Sequence, residues 1–225
     1  MIEFLRSSYF IILYLIILIV AIVTYRKYFD TALKLFPIYM AYTFFTELLG
    51  YFIFAFEEFS FFEDLRYSWH NVVVYNLYSI LVFSFFSWVY YQVLKKNNHK
   101  KIVRWGSLTV LFSYLISCFF QNPLHTGLFY AEAIASLFLL AVIFLYFKEK
   151  RTTNSSWFEK HNLMFWISIG LCTFHTFFPF LYVTGFLKPE IWITYHFRDI
   201  LKILILISYS MFLIGLLTCK RSSFN

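Results

Sequence analysis

The chain has 225 residues, of which 61% are hydrophobic, 25% aromatic and only 14% charged. A soluble domain carries about a quarter charged residues, and so much apolar surface cannot be buried in one water-facing core of this size. Composition therefore predicts a membrane protein and excludes an enzyme acting on nucleic acids, a secreted disulfide scaffold and a disordered chain.

Apolar segments follow one another along the chain, each near or above the roughly 20 residues that a membrane-spanning helix needs. They cover residues 9–25, 33–56, 69–94, 102–120, 124–147, 163–183 and 191–217. The first segment has no small-x-small cleavage site, so we expect a retained helix rather than a signal peptide. No loop has room for a second domain. The predicted fold is all-α: a single domain over residues 1–225 with seven transmembrane helices.

Lysines and arginines collect in alternate connections between these segments. They follow the first, third, fifth and last segments, whereas the other loops carry mainly acidic residues. The positive-inside rule then predicts an N-terminus outside and a cytoplasmic C-terminus, in a bacterial inner membrane. Topology thus explains the net charge of +7, and the expected partner is the lipid bilayer rather than a nucleic acid.

A few polar side chains fall inside the spans, where a charge is costly unless it faces the bundle interior, water or a partner. At a helical rise of about 1.5 Å per residue, they lie roughly 8 to 14 Å below the predicted outer ends. We therefore expect an outward-facing polar pocket in the membrane. Its predicted ligand-binding residues are Glu47, Asn76, Glu132, His175, His196, Arg198, Asp199 and Lys202. His70, beside Trp69, is expected to be an interfacial anchor.

The last segment concentrates charge within two helical turns. His196, Asp199 and Lys202 are three residues apart, so Asp199 can accept hydrogen bonds from both neighbours. Arg198 lies one step around the helix and can extend outward or pair with Glu47 or Glu132. Because three acids face two firm bases, at least one acid should be protonated or share a cation.

A structural role is the alternative for several of these residues. Glu47 and Glu132 can each link neighbouring helices by a hydrogen bond. His175 has two possible roles: a core histidine whose ring nitrogens are hydrogen-bonded within the protein, or a contact to the ligand.

The first and fourth segments carry few polar groups, so they are expected to face lipid or a second copy of the chain. A homo-oligomer through these two segments therefore stays open. Because no loop holds a second domain, a cytoplasmic output requires a cytoplasmic signalling partner.

Several short motifs resemble a group of uncharacterised bacterial seven-helix integral membrane proteins. They are the residues at 25–28 (YRKY), 46–49 (TELL), 75–79 (YNLYS) and 165–170 (FWISIG), with His196, Asp199 and Lys202 in the last segment. The resemblance runs over nearly the whole chain and implies no established activity. In that group the acid of the last helix is usually Asn, so Asp199 is a departure from the pattern.

Two known families with seven helices would each require a cofactor, although we expect no cofactor in this protein. Microbial rhodopsins carry retinal on a lysine of the last helix, for which Lys202 is the candidate, with Asp199 one turn earlier. The third segment, however, has no acid to act as counter-ion. Seven-helix zinc hydrolases use Ser-x-x-x-His and His-x-x-x-His motifs, which are missing here. Zinc ligands could still come from Glu47, Glu132, His175, His196 and Asp199.

These observations favour binding over catalysis, although an enzyme stays open. We expect a receptor-like or sensory protein that binds a small polar ligand or ion in the intramembrane pocket and signals to a cytoplasmic partner. The alternatives are a metal-dependent intramembrane hydrolase and an ion-conducting or transport protein.

Overall fold

The computed structural model describes residues 9–59, 72–153 and 159–221, and within these ranges all regular secondary structure is helical. The α-helices are α1 (Tyr9–Val23), α2 (Phe36–Ala55), α3 (Val72–Val93), α4 (Asn97–Phe120), α5 (Phe129–Thr153), α6 (Leu163–Leu187), α7 (Pro189–Thr194) and α8 (Phe197–Thr218). Short 3₁₀ turns follow α1 and α2 at Tyr25–Lys27 and Glu57–Phe59. His70 lies outside the described residues.

Five of the described helices are long and apolar enough to cross a membrane, namely α3, α4, α5, α6 and α8. α1 is a shorter apolar helix. The predicted class is confirmed at this level, because the chain folds as a helical membrane protein.

The helix boundaries differ from the predicted segments where polar residues extend or interrupt a helix. α4 begins at Asn97 rather than residue 102, since its polar first turn continues the helix beyond the apolar stretch. The last segment is divided into α7 and α8 by a break at His196. This residue has φ 51° and ψ 41°, a left-handed conformation that ends one helix before the next begins.

Six of the described helices form a ring, and α4 packs outside it. Around the ring, α1 contacts α2 and α8, α3 contacts α2 and α5, and α6 contacts α5 and α8. α4 packs against α3 and α5 from outside the ring. The ring interior is aromatic: the Phe212 ring lies 5.9 Å from that of Phe36 and 6.4 Å from that of Phe86.

α6 and α8 pack tightly against each other, and glycine permits this close approach. A Cβ atom added at Gly170 would lie 2.7 Å from the backbone oxygen of Ser208 on α8. Gly215 is similarly tight, because its Cβ would lie 2.7 Å from the Cβ of Trp166 on α6. Small residues allow backbones to approach in membrane proteins, where packing rather than hydrophobic burial joins the helices.

The basic connections meet at one end of the bundle, here called the basic end. It holds residues 24–35, 94–97, 159–162 and 219–221. His161 and Lys160 contact the end of α8, where the Thr218 hydroxyl donates to the Lys160 carbonyl oxygen at 3.0 Å. Arg221 pairs with Asp30 at 2.9 Å. The basic connections seen in the sequence therefore lie together at one end of the described bundle.

Candidate functional site: a polar network inside the bundle

A network of hydroxyl groups joins α2, α3 and α8 inside the ring. The hydroxyl of Tyr209 on α8 lies 3.1 Å from that of Tyr39 on α2 and 3.2 Å from that of Tyr78 on α3. The Tyr78 hydroxyl also lies 3.2 Å from the Thr43 hydroxyl. Tyr14 of α1 packs edge-on against the Tyr209 ring, with centroids 4.6 Å apart. Buried hydroxyls need such partners, so the network sets which faces of these helices meet.

Sequence reasoning missed this network. Tyrosines are common at membrane interfaces and on lipid-facing surfaces, so 18 tyrosines in the chain gave no reason to select these four. One clue was available in α2, where Tyr39, Thr43 and Glu47 recur every four residues and so share one helix face.

Glu47 lies one turn beyond Thr43 on that face. The Tyr75 hydroxyl of α3 donates to its carboxylate at 3.1 Å. Within the described part of the chain this is its only hydrogen bond, and no Lys, Arg or His nitrogen lies within 4 Å of the carboxylate. A carboxylate accepts several hydrogen bonds, so the described residues fill only part of the capacity of Glu47.

Glu132 of α5 is the second buried carboxylate that contacts α3. It is 5% exposed and accepts a hydrogen bond of 2.9 Å from the Ser79 hydroxyl. Tyr114 of α4 and Tyr182 of α6 lie close enough to interact electrostatically with its carboxylate. Among the described residues Glu132 also has no ion pair.

His175 of α6 contacts α5 one turn from Glu132. Its Nδ1 lies 3.0 Å from the hydroxyl of Ser136, which is four residues after Glu132 on the same helix. Glu132 and His175 therefore belong to one polar cluster between α3, α5 and α6. The structure brings these two predicted residues near each other.

The Asn76 side chain forms hydrogen bonds with the backbone of the loop between α4 and α5. Its Oδ1 accepts from the Leu128 amide at 3.1 Å, and its Nδ2 donates to the carbonyl oxygens of Pro123 and Thr126 at 2.8 and 3.1 Å. It is 5% exposed. These contacts give Asn76 a positioning role for the loop, beside any role in binding.

The charged group at the start of α8 is the most exposed part of the predicted site. The pair expected from the spacing is present, with Lys202 Nζ 3.2 Å from Asp199 Oδ1. The Asp199 side chain is 63% exposed, and His196 and Arg198 are also exposed. The His196 side chain makes no capping hydrogen bond, and no described ion pair joins Arg198 to Glu47 or Glu132. The expected contact of His196 with Asp199 is thus replaced by a backbone bond of 2.9 Å between the same residues.

The zinc candidates do not converge in the described residues, where no group of three or more His, Cys, Asp and Glu side chains is placed to hold a metal ion. Glu47, Glu132 and Asp199 lie on three different helices with separate partners.

A groove of about 540 Å³ opens between α4, α5 and α6. It is lined by Ser113, Ile116, Ser117, Phe120, Tyr130, Ile134 and Phe186, so none of the predicted ligand-binding residues contributes to it. Its largely apolar walls suit a lipid chain rather than a polar ligand.

Another carboxylate missed from the sequence organises the basic end. Glu149 of α5 is 7% exposed. It accepts from the backbone amides of Lys95 and Lys96 at 2.7 and 3.1 Å and lies 2.6 Å from Nδ1 of His99. Free amides at the start of a helix favour a negative group, so Glu149 caps α4 from a neighbouring helix.

Comparison with known proteins found no matching family model, no matching curated protein and no matching solved structure.

Proposed function

We propose that this protein is a receptor-like or sensory membrane protein that binds a small polar ligand or ion among the polar groups in one half of its helix bundle. The observation that carries the proposal is that two carboxylates inside the bundle have few partners among the described residues. Within the described residues, Glu47 and Glu132 each have one hydroxyl donor and no cationic partner. An ionisable group in this position is a functional candidate by default, because leaving it without compensation is unfavourable.

The helices that hold these groups also form the contacts at the basic end, which supports a signalling role. α5 carries Glu132 near its start and Glu149 near its end, and Glu149 holds the start of α4. α8 carries Tyr209 in the network and Thr218 at the contact with Lys160. A ligand that favours one packing of these helices would therefore shift the loops at the basic end.

We further propose the topology and setting of this receptor. α1 and α2 would complete seven spans, with the N-terminus outside and the basic end in the cytoplasm of a bacterial inner membrane. A cytoplasmic partner would receive the output. Exposed apolar faces of α1 and α4, including Ile19, Phe112 and Phe119, are compatible with lipid or with a second copy.

A thermal-shift screen on the full chain in detergent tests the binding proposal. Sodium, potassium, calcium, amino acids, organic acids and amines would be added to the wild-type protein and to the variants Glu47→Gln and Glu132→Gln. We expect at least one compound to raise the unfolding midpoint of the wild type by a few degrees and to lose that effect in one or both variants.

Glu190→Gln is the matched control, because Glu190 is an exposed acid in α7. Stabilisation that is unchanged in both Gln variants, or found for no compound, would contradict the proposal.

Transport is a second candidate because the hydroxyls of Thr43, Tyr78, Tyr209 and Tyr39 form a continuous chain. Such a chain can carry protons, and Glu47 lies one helical turn beyond Thr43 on α2. Proteoliposomes with a pH-sensitive dye inside would show proton flux that falls in Glu47→Gln. Flux equal to that of empty liposomes would exclude this candidate.

A further inference from the structure

The helix α4, which packs outside the ring, carries a surface suited to a particular lipid. We infer that an anionic phospholipid from the leaflet at the basic end binds along α4, with its headgroup at Lys101 and Arg104 and its acyl chains on the apolar residues that follow. This interaction is separate from the polar network inside the ring and does not depend on the proposed ligand.

α4 exposes one continuous face along its length, here called the outward face. Its members recur at spacings of three and four residues, so they lie on one side of the helix. From the basic end they are Lys101, Arg104, Trp105, Leu108, Phe112, Leu115 and Phe119, and all of them are exposed. The opposite side carries the buried residues Val103, Val110 and Tyr114, so the outward face is turned away from the bundle.

The charged residues of the outward face lie at the depth of lipid headgroups. α4 is long and apolar enough to cross a membrane and ends at Phe120. Along the helix, at about 1.5 Å per residue, Lys101 and Arg104 lie roughly 29 and 24 Å from that end. The hydrocarbon core of a bilayer is about 30 Å thick, and long basic side chains extend toward the headgroups. Trp105, which is 66% exposed, is a residue typical of the same boundary.

Neither cation is compensated within the described part of the chain. The ion pairs found there do not include Lys101 or Arg104, and no described Asp or Glu oxygen lies within 4 Å of them. The neighbouring Lys100 differs, because it lies over the Tyr91 ring. Glu149, the acid that contacts the start of α4, accepts from backbone amides of the connection between α3 and α4. The outward face thus begins with two positive charges that can meet an external anion.

The order of groups along the outward face matches that of a phospholipid. Lysine and arginine at the membrane surface attract anionic headgroups. One leaflet covers about half of the 30 Å core, so the acyl chains of the same molecule would lie on Leu108 and Phe112. A zwitterionic headgroup brings a cation of its own, whereas both charges of α4 attract a headgroup that is negative overall. Charge complementarity therefore favours an anionic phospholipid.

A second copy of the chain fits this surface less well. Two copies in one membrane have the same orientation, so a symmetric contact through the outward face would place Lys101 and Arg104 of both copies at the same depth. Like charges at such a contact repel each other. A lipid fills the same apolar surface and neutralises the cations.

Phosphatidylglycerol and phosphatidylcholine with identical acyl chains are the probes for the test. The full chain in detergent would be titrated with each lipid in mixed micelles while thermal unfolding is followed. We expect phosphatidylglycerol to raise the unfolding midpoint by about 2 to 4 °C more than phosphatidylcholine does. Glycerol 3-phosphate at the same ionic strength should have no effect, because it offers a phosphate without acyl chains. An equal shift with glycerol 3-phosphate would overturn the inference.

Paired variants assign the effect to α4. The double variant Lys101→Gln/Arg104→Gln should abolish the difference between the two lipids. Arg26→Gln/Lys34→Gln is the matched control, because it also removes two exposed charges at the basic end, beside α1, and should keep most of the difference. All four positions are exposed, so both variants should fold. A difference that persists in the α4 variant, or that falls equally in both variants, would overturn the inference.

Disulfide crosslinking tests the second copy as occupant. In a variant without Cys118, Cys172 and Cys219, Phe112→Cys should stay monomeric under oxidising conditions when phosphatidylglycerol is present. A disulfide-linked dimer formed in the presence of this lipid would assign the outward face to a second copy and overturn the inference.

Discussion

At the scale of single residues, the polar side chains inside the bundle differ in how much of their hydrogen-bonding capacity the described residues fill. Both polar atoms of the Asn76 side-chain amide form hydrogen bonds with the loop between α4 and α5. Glu47 and Glu132 each have one donor among the described residues. Saturated groups stabilise the fold, whereas unsaturated ones are the candidates for binding.

Replacing Asn76 by Ala should destabilise the protein by about 2 to 4 kcal/mol, because three hydrogen bonds are lost and buried backbone groups are left unpaired. Chemical or thermal unfolding in detergent would measure this. The control is Asn98→Ala, an exposed position at the start of α4. Equal stability of the two variants would show that the loop does not depend on Asn76.

At the scale of the helices, two contacts set how neighbouring elements join. Glu149 of α5 caps α4 at the basic end, and Gly170 of α6 allows the close approach of α8. Both are contacts between different helices, so a substitution on one helix tests its packing against the other.

Removing the Glu149 carboxylate should loosen the first turn of α4. In Glu149→Ala, hydrogen exchange of the Lys95 and Lys96 amides should accelerate about tenfold or more, because hydrogen bonds to a charged group contribute about 1.5 to 3 kcal/mol. Glu58→Ala, at an exposed acid far along the chain, should leave these amides unchanged. Unaltered exchange in Glu149→Ala would mean that α4 is held without this cap.

A methyl group at Gly170 should separate α6 from α8. Gly170→Ala is expected to lower stability by about 1 to 3 kcal/mol, since its Cβ would meet a backbone oxygen at 2.7 Å and the helix must shift. Gly185→Ala is the comparison, because there the nearest atom belongs to the Trp192 side chain at 2.8 Å, which can move. A smaller loss at Gly170 than at Gly185 would contradict the close helix contact.

At the scale of the whole molecule, the basic connections gather at one end of the described bundle. The connections rich in lysine and arginine lie together at the basic end, joined by the Lys150–Glu159 pair at 2.9 Å and the Arg221–Asp30 pair. The loop that Asn76 holds lies at the opposite end. This arrangement permits a direct test of orientation.

Thiol labelling of intact cells should place the basic end in the cytoplasm. In a variant without Cys118, Cys172 and Cys219, the substitution Leu124→Cys should react with an impermeant maleimide outside the cell. Asn98→Cys should react only after the membrane is permeabilised. The reverse pattern would invert the topology predicted by the positive-inside rule.

The sequence by itself determined the helical membrane class, because long apolar segments leave no other way to satisfy the backbone in a bilayer. It also determined the alternation of basic and acidic connections and the Asp199–Lys202 pair, since both depend on residues close in the chain.

Only the tertiary structure decided which polar groups meet. Tyr39 and Tyr209 are 170 positions apart, and nothing local distinguishes their hydroxyls from those of tyrosines elsewhere in the chain. The same holds for Asn76 with the loop near Leu128, and for Glu149 with the amides of α4. Helix period specifies a face, but the rotation and pairing of the packed helices determine what that face contacts.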